Sequence, residues 1–374
     1  MKILVCGGGT GGHINPAIAV ASLIRARRPE TGIVFAGAAR GMEEKLVPAA
    51  GFELRTVDVS GFKRSFAPSA IAFNIGAGFR MLRSRREALE IVKEAAPDVV
   101  FGTGGYACFP YVRAASKLGI PVVLHESNAL PGKAVQAAGK FADKILLGFP
   151  EAREKLPPEL QKKVIVTGNP IRSGMNVADK EASKRALGYE GKLVLSFWGS
   201  LGAREMNKMM AEYIRLEAEE NPGFDHVHAT GSYGWRWMPD LVKEKGVELE
   251  KHPRIDMREY IHNMPELLAA ADLVICRAGA MTMIEIAATG TPAIIVPSPN
   301  VAENHQESNA RAMESRGAAT VVLEKECSGK LLYEKTKELL ADGEKLREMS
   351  RAALRGAILD ADEKIYDELR EYWK

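Results

Sequence analysis

The chain has only four cysteines in 374 residues, Cys6, Cys108, Cys276 and Cys327. They lie far apart and form no CxxC pair, which excludes a disulfide scaffold and a thiolate zinc site of ordinary spacing. Cys6 and Cys276 fall in apolar runs and read as small buried thiols, in keeping with a reducing cytoplasm. Charge of one sign is also lacking: Lys plus Arg is 51 against 48 for Asp plus Glu, a net +3. That balance gives no case for a nucleic-acid partner. No apolar run reaches the roughly 18–20 residues a membrane-spanning helix needs. Met1-Lys2 leads straight into a short strand, with no signal-like leader. There is no GxSxG elbow, no GxxxxGK[ST] loop and no HExxH. Asp-x-Asp occurs as Asp360-Ala361-Asp362, in a stretch that reads as a C-terminal helix. Neither a metal nor a cofactor is expected.

What the chain does have is glycine, 35 residues of it, part of it in loops that follow strand-like runs. The first is Gly7-Gly8-Gly9-Thr10-Gly11-Gly12-His13, after Ile3-Leu4-Val5-Cys6. Ala17 to Ala21 after it reads as a helix, with Pro16 near its first turn. A strand, a glycine loop and a helix start make an anion site, because backbone N–H groups approach the ligand closely and the helix dipole favours negative charge. His13 stands at the lip of this loop, where a group titrating near neutral pH suits a base. The plainer alternative is a tight turn with no ligand. Gly7-x-Gly9-x-x-Gly12 fits the dinucleotide fingerprint, but Ile33 to Ala38, the second strand, ends without the acid that would hold a ribose. The loop is therefore of Rossmann type without being a nicotinamide site.

A second loop, Gly102-Thr103-Gly104-Gly105-Tyr106, follows Val99-Val100; a third, Gly199-Ser200-Leu201-Gly202-Ala203-Arg204, follows Val194 to Phe197. Three such loops suit a ligand with several phosphates or sugars. Cys276 to Glu285 follows the strand Asp272 to Ile275, and its small residues open a helix able to face a diphosphate. Glu285 there suits a ribose diol; otherwise it is a first-turn charge worth tenths of a kcal/mol. Gln306 and Asn309 either read sugar hydroxyls or form a polar helix face. His125-Glu126-Ser127-Asn128 is another polar strand end. Arg172, after Thr167-Gly168-Asn169-Pro170-Ile171, is either a cation for a pyrophosphate or a surface arginine.

Strand-like and helix-like runs alternate throughout, which predicts an α/β protein with mostly parallel sheets. Its length favours two domains. Strands are expected near 3–6, 33–36, 98–102, 121–124 and 144–148, then near 164–167, 193–198, 225–229, 272–275, 293–296 and 319–322. The joint is expected in the Pro-containing stretch from Phe149 to Pro170. Ligands of such sheets bind at the carboxyl ends of the strands, here in a cleft between the domains. One segment differs. Residues 61–86 carry Lys63, Arg64, Arg80, Arg83, Arg85 and Arg86 and no acid, with Phe66, Ile71, Phe73, Ile75 and Phe79 between. This suits an anionic membrane surface; the alternative is a helix packed on the sheet.

Taken in order, GGGTGGHINPAIAVA, GTGGY, HESNALPG, TGNPIR, GSLGAR, CRAGAMTMIEIAATGTPAIIVP and NHQESNA resemble the motifs of the MurG family over nearly the whole chain. These are bacterial N-acetylglucosaminyltransferases that convert lipid I to lipid II in peptidoglycan synthesis. The resemblance implies a GT-B fold: two Rossmann-like doubly wound domains facing a deep cleft. Residues 1–160 would bind acceptor and membrane, 161–345 would bind UDP-GlcNAc, and 346–374 would return to the first domain. Carried over by motif, Thr10, Gly11 and Gly12 would touch the donor sugar or diphosphate, Asn128 would contact the sugar, and Arg172 and Ser200 would hold the diphosphate. Ile261 would meet the uracil through its backbone. Ala280, Met281, Thr282, Met283, Ile284 and Glu285 would cradle phosphate and ribose, with Glu285 on the ribose, and Gln306 would read a sugar hydroxyl. Gly104, Gly105 and Tyr106 would face the acceptor, and His13 would be the base of an inverting transfer. The implied partners are UDP-GlcNAc, lipid I, an anionic membrane through residues 62–86, and cell-wall or division proteins. The implied location is peripheral, on the cytoplasmic face of the plasma (inner) membrane. Two other readings stay open: another UDP-sugar GT-B protein, such as a diacylglycerol glucosyltransferase or a UDP-GlcNAc 2-epimerase, and a catalytically silent nucleotide-sugar-binding partner. Ala107 to Pro110 are bulkier than the family pattern after that loop, and Trp235 and Trp237 are unusual near a nucleotide pocket.

Overall fold

Alternation along β1 (Lys2–Cys6) sets the layering of the first sheet. Ile3 and Val5 face one layer, Leu4 and Cys6 the other, and all four are buried. A strand apolar on both faces belongs in the middle of a parallel sheet covered on both sides. In the computed structural model, which describes residues 1–59, 68–171 and 179–373, that is where β1 lies. It is joined by β2 (Gly32–Ala38), β3 (Glu53–Val57), β4 (Val99–Gly102), β5 (Val122–Glu126), β6 (Lys144–Leu147) and β7 (Val164–Val166) in the order β3-β2-β1-β4-β5-β6-β7. A second sheet holds β8 (Leu193–Phe197), β9 (Asp225–Ala229), β10 (Ile255–Arg258), β11 (Leu273–Cys276), β12 (Ala293–Ile295) and β13 (Ala319–Val321) in the order β10-β9-β8-β11-β12-β13. Every pairing in both sheets is parallel. The strand order reverses between β1 and β4 and between β8 and β11. Those are the topological switch points at which doubly wound sheets bind ligands.

The chain divides into two units, Met1–Ile171 with Ile358–Lys374, and Arg172–Ala357. Val164–Val166 pairs with β6 and closes the first sheet, so it does not open the second half as its position suggested. The division falls at Ile171 rather than at residue 160, and the helix Gly343–Arg355 belongs to the second unit. Within the first unit, the terminal helix Ala361–Arg370 lays Ile365, Tyr366 and Leu369 on the layer that covers Ile3 and Val5. Arg27 pairs with Glu363, and Lys144 Nζ lies 2.6 Å from both Glu368 and Glu371. Asp362, from the Asp-x-Asp letters, accepts the N–H of Ile171 at 3.2 Å. Burial raises its pKa.

Lys63, Arg64, Phe66 and Arg172 lie outside the described residues. The basic segment continues into the helix Pro68–Ala95, on which Arg83 pairs with Glu87 at 2.8 Å. No helix among the described residues is long and apolar enough to cross a membrane.

Candidate active site

In the first unit the glycine loops follow β1 and β4, the two strands that flank the switch point. The helix after β1 begins at Gly11, earlier than the sequence suggested, and Pro16 lies inside it. Proline there has no N–H for the ladder. His13 is thus on the first turn of the helix. Its N–H donates to Thr10 O at 3.1 Å, and its Nδ1 lies 3.0 Å from Thr10 Oγ1. Thr103 Oγ1, from the second loop, donates to His13 O at 2.8 Å. The ring packs against that loop: a Cβ placed on Gly104 would stand 3.3 Å from His13 Cδ2. At Gly105 it would stand 2.1 Å from Gly8 O, so the two loops touch backbone to backbone. Gly9, at φ +87°, leaves room for the Tyr106 ring, 2.5 Å from where a Cβ would be. Thr10, Gly11, Gly12, His13, Gly104, Gly105 and Tyr106 are therefore brought together.

The bulk after Tyr106 goes into packing. Ala107 and Cys108 are buried, Cys108 Sγ is 3.5 Å from Cys6 Sγ, and Phe109 meets Phe141 edge-on.

Asn128 follows β5, the next strand along. Glu126, 3% exposed, organises this turn: it accepts Asn128 N at 2.9 Å, Asn128 Nδ2 at 3.0 Å and Gly132 N at 2.8 Å. His125 is wholly buried, with Nε2 3.1 Å from Gly168 O and Nδ1 3.3 Å from Ser127 Oγ. Asn169 Nδ2 donates to Ser127 O at 2.9 Å. The visible part of the TGNPIR stretch thus locks the end of β7 to the end of β5.

In the second unit the turn Gly199–Gly202 follows β8. Gly202, at φ +79°, comes so close to Thr230 that a Cβ would lie 2.1 Å from Thr230 O. Buried Asn207 donates through Nδ2 to the same carbonyl at 2.7 Å, and Ser232 N donates to Ser200 O at 3.1 Å. Ser200 is exposed on this turn. After β11, the other strand of the switch point, Arg277 is held by Val296 O at 3.0 Å and Glu324 at 2.5 Å. The helix Ala280–Thr289 then starts with no side-chain cap and no acid in its first turn. Ala280, Met281 and Thr282 are half-buried there, and Met283 and Ile284 turn inward. Glu285 is 4% exposed. The Cys276 thiol is pushed up by burial and then by the Glu285 charge. Asn309 Nδ2 donates to Ala278 O at 3.1 Å, tying the helix His305–Ser315 to this turn. Gln306 Oε1 accepts Ser298 N at 2.9 Å. Ile261 is buried beyond β10, and among the described residues its main-chain N–H and C=O form no hydrogen bond. Trp237 packs into the core of this unit, whereas Trp235 is 40% exposed.

Not every polar cluster belongs to a site. Ser196 Oγ lies 2.8 Å from His226 Nε2 and 2.7 Å from His228 Nδ1, and His226 Nδ1 lies 2.7 Å from Glu217. All four are buried, so the arrangement is structural despite its triad letters. Burial lowers the pKa of His228 to about 3 and that of His125 to about 4. Each unfolded histidine binds a proton near pH 6.5 that the folded one refuses. Stability is therefore present above pH 6.5 and is lost as pH falls, by about 1.4 kcal/mol per pH unit for each group. Urea unfolding at pH 5 should show each unit about 2 kcal/mol weaker than at pH 7, and His125→Gln should flatten the dependence in the first. Equal midpoints at the two pH values would contradict the neutral, buried assignment.

These two sheets, with loops at both switch points, define the class. The model for the glycosyltransferase family 28 N-terminal domain matches residues 3–147, and that for its C-terminal domain matches residues 193–366. The chain is 41% identical to a protein of Acetivibrio thermocellus named UDP-N-acetylglucosamine--N-acetylmuramyl-(pentapeptide) pyrophosphoryl-undecaprenol N-acetylglucosamine transferase. That match covers 100% of this chain and 99% of the relative. The crystal structure of Acinetobacter baumannii MurG superposes with a TM-score of 0.76 at 25% identity, over 99% of both chains. The chain belongs to the MurG family of two-domain GT-B glycosyltransferases. A UDP-GlcNAc 2-epimerase from Neisseria meningitidis shares the fold alone, with a TM-score of 0.65 at 16% identity over 99% of this chain and 100% of the other.

Glu43 is the residue in this region that the sequence reading missed. The acid absent from the end of β2 arrives five residues past Ala38, and its carboxylate bonds the glycine loop instead of facing a ligand. The signal was Gly37 and Gly41 just before it, where a Cβ on either would run into the Glu43 side chain.

Proposed function

We propose that the chain transfers N-acetylglucosamine from UDP-GlcNAc to the C4 hydroxyl of the muramoyl sugar of lipid I, giving lipid II and UDP. The observation that carries this is the full-length match, at 41% identity, to a protein named for that transfer. In the second unit, the uncapped helix start at Ala280, Met281 and Thr282 and the Ser200 turn receive the diphosphate, with Arg172 as the cation. Such N–H groups stabilise a leaving diphosphate electrostatically. The unbonded main-chain groups of Ile261 suit uracil, whose imide presents a donor beside acceptors. Glu285 takes the ribose diol. With Oε1 committed to Ser298, Gln306 offers its Nε2 to a sugar hydroxyl.

In the first unit, Thr10, Gly11 and Gly12 touch donor sugar or diphosphate, Asn128 contacts the sugar, and Gly104, Gly105 and Tyr106 line the acceptor side. His13 takes the proton of the C4 hydroxyl as that oxygen attacks C1 of GlcNAc. Attack comes from the face opposite UDP, the electron pair of the C1–O bond leaves with UDP, and the configuration inverts. The enzyme works as a peripheral protein on the cytoplasmic face of the membrane. The acid-free basic and apolar composition of residues 62–86 supports that placement. The test is transfer of labelled GlcNAc to a lipid I analogue: label in the lipid product is expected, and its absence at saturating donor would overturn the proposal.

A further inference from the structure

Beneath the first glycine turn lies a carboxylate to which the proposed chemistry gives no task. Glu43 opens the helix Glu43–Ala49 and is wholly buried. Its Oε2 accepts Gly9 N at 3.1 Å, and its Oε1 accepts Ala38 N at 2.8 Å. Among the described residues it forms no ion pair. A buried carboxylate is costly unless hydrogen-bonded, and here one bond comes from the glycine turn and the other from the end of β2. Three glycines leave space for it. A Cβ on Gly8 or Gly41 would stand 2.2 Å from a carboxylate oxygen, and one on Gly37 would stand 2.7 Å from Cγ. Gly9 is thereby held between the Glu43 carboxylate on one side and the Tyr106 ring on the other.

In dinucleotide-binding sheets the amides of this turn and the acid after β2 both serve a bound nucleotide. Here the acid serves the amides. We infer that Glu43 is a positioning residue for the transfer: its carboxylate is the built-in anion of the glycine turn and fixes the main-chain path that carries Thr10 and His13 and abuts Tyr106. The inference rests on the proposed function for what is positioned, and on the Gly9 and Ala38 bonds for how. Residue types alone explain the choice of glutamate. The side chain must bridge two N–H donors from different segments, and a carboxylate offers a separate oxygen to each, where an amide has one.

The test compares wild-type enzyme with Glu43→Gln and Glu43→Ala. In Glu43→Gln an amide N–H₂ faces one of the two donors, and the turn shifts. Displacement of reacting groups by about 1 Å costs on the order of a hundredfold in rate, so kcat for transfer to a lipid I analogue should fall roughly ten- to a hundredfold. The Kd for UDP, bound by the other unit, should stay within about twofold, less than a typical hydrogen bond is worth. In Glu43→Ala, formate should restore part of kcat by refilling the anion position, and chloride should not. Wild-type kcat in Glu43→Gln overturns the inference, as does a loss that appears in UDP binding instead of turnover. Hydrogen exchange of the Gly9 and Ala38 amides is read in parallel. If the wild-type enzyme transfers nothing, the proposed function fails, and exchange still decides Glu43. Faster exchange of both amides in Glu43→Gln supports its hold on the turn; unchanged exchange overturns it.

Discussion

His13→Ala is expected to lower kcat for GlcNAc transfer by about 10²–10⁴-fold, the range of a lost general base, with affinity for UDP-GlcNAc almost unchanged. The split follows from where His13 sits. It lies on the first turn of the helix after β1, while the groups proposed to hold UDP follow β8, β10 and β11 in the other unit. Its ring is fixed on the Thr10 side by a 3.0 Å contact to Nδ1 and by close packing on Gly104 and Gly105. A base held in one orientation assists only in the transition state, so its removal lowers kcat and leaves ground-state binding alone. The fold should not suffer, because His13 is half-buried and alanine is a good helix former. Steady-state kinetics with saturating donor, together with calorimetric binding of UDP-GlcNAc, separates the two quantities. Wild-type turnover by His13→Ala would remove His13 as the base.

Glu285→Ala is expected to do the opposite: the Kd for UDP should rise roughly tenfold to a hundredfold, with kcat at saturating UDP-GlcNAc nearly unchanged. A carboxylate accepting from a ribose diol makes charge-assisted hydrogen bonds worth about 1.5–3 kcal/mol, and each 1.4 kcal/mol is about tenfold in affinity. Glu285 stands on the second turn of the helix Ala280–Thr289, below the first-turn amides assigned to the diphosphate. A nucleotide that places its phosphates on those amides brings its ribose alongside. Because Glu285 is buried, Glu285→Gln serves as the second variant. It keeps the volume, should lose affinity less than alanine does, and reports a fold defect if its melting temperature drops. Unaltered UDP affinity in both variants would place the ribose elsewhere.

The parts of the fold legible in the sequence were those buried on both faces. The apolar runs of β1, β4, β8 and β11, broken only by Lys2 at the start of β1 and Ser196 within β8, turned out to be the strands at the two switch points. The edge strands β3 and β10 were missed. Glu-Leu-Arg-Thr-Val and Ile-Asp-Met-Arg alternate charged and apolar residues, and an edge strand with one solvated face has no continuous run to announce it. Val164–Val166 was assigned to the wrong half because the prolines before it read as a linker, whereas the chain crosses between units only after Ile171. The helix start at Gly11 was hidden by Pro16, whose usual place is the first turn. At the candidate site the glycine loops were readable because backbone approach demands glycine. Glu43 was not, because the partner that ties it to the glycine loop, the N–H of Gly9, is distant in sequence.

The measurement that bears most directly on the proposed activity is transfer of labelled GlcNAc from UDP-GlcNAc to a lipid I analogue, run beside UDP-glucose as donor and diacylglycerol as acceptor. The expected result is label in the disaccharide lipid with UDP-GlcNAc and lipid I, and in neither control. Equal transfer to diacylglycerol, or binding of UDP-GlcNAc with no transfer to lipid I, would contradict it.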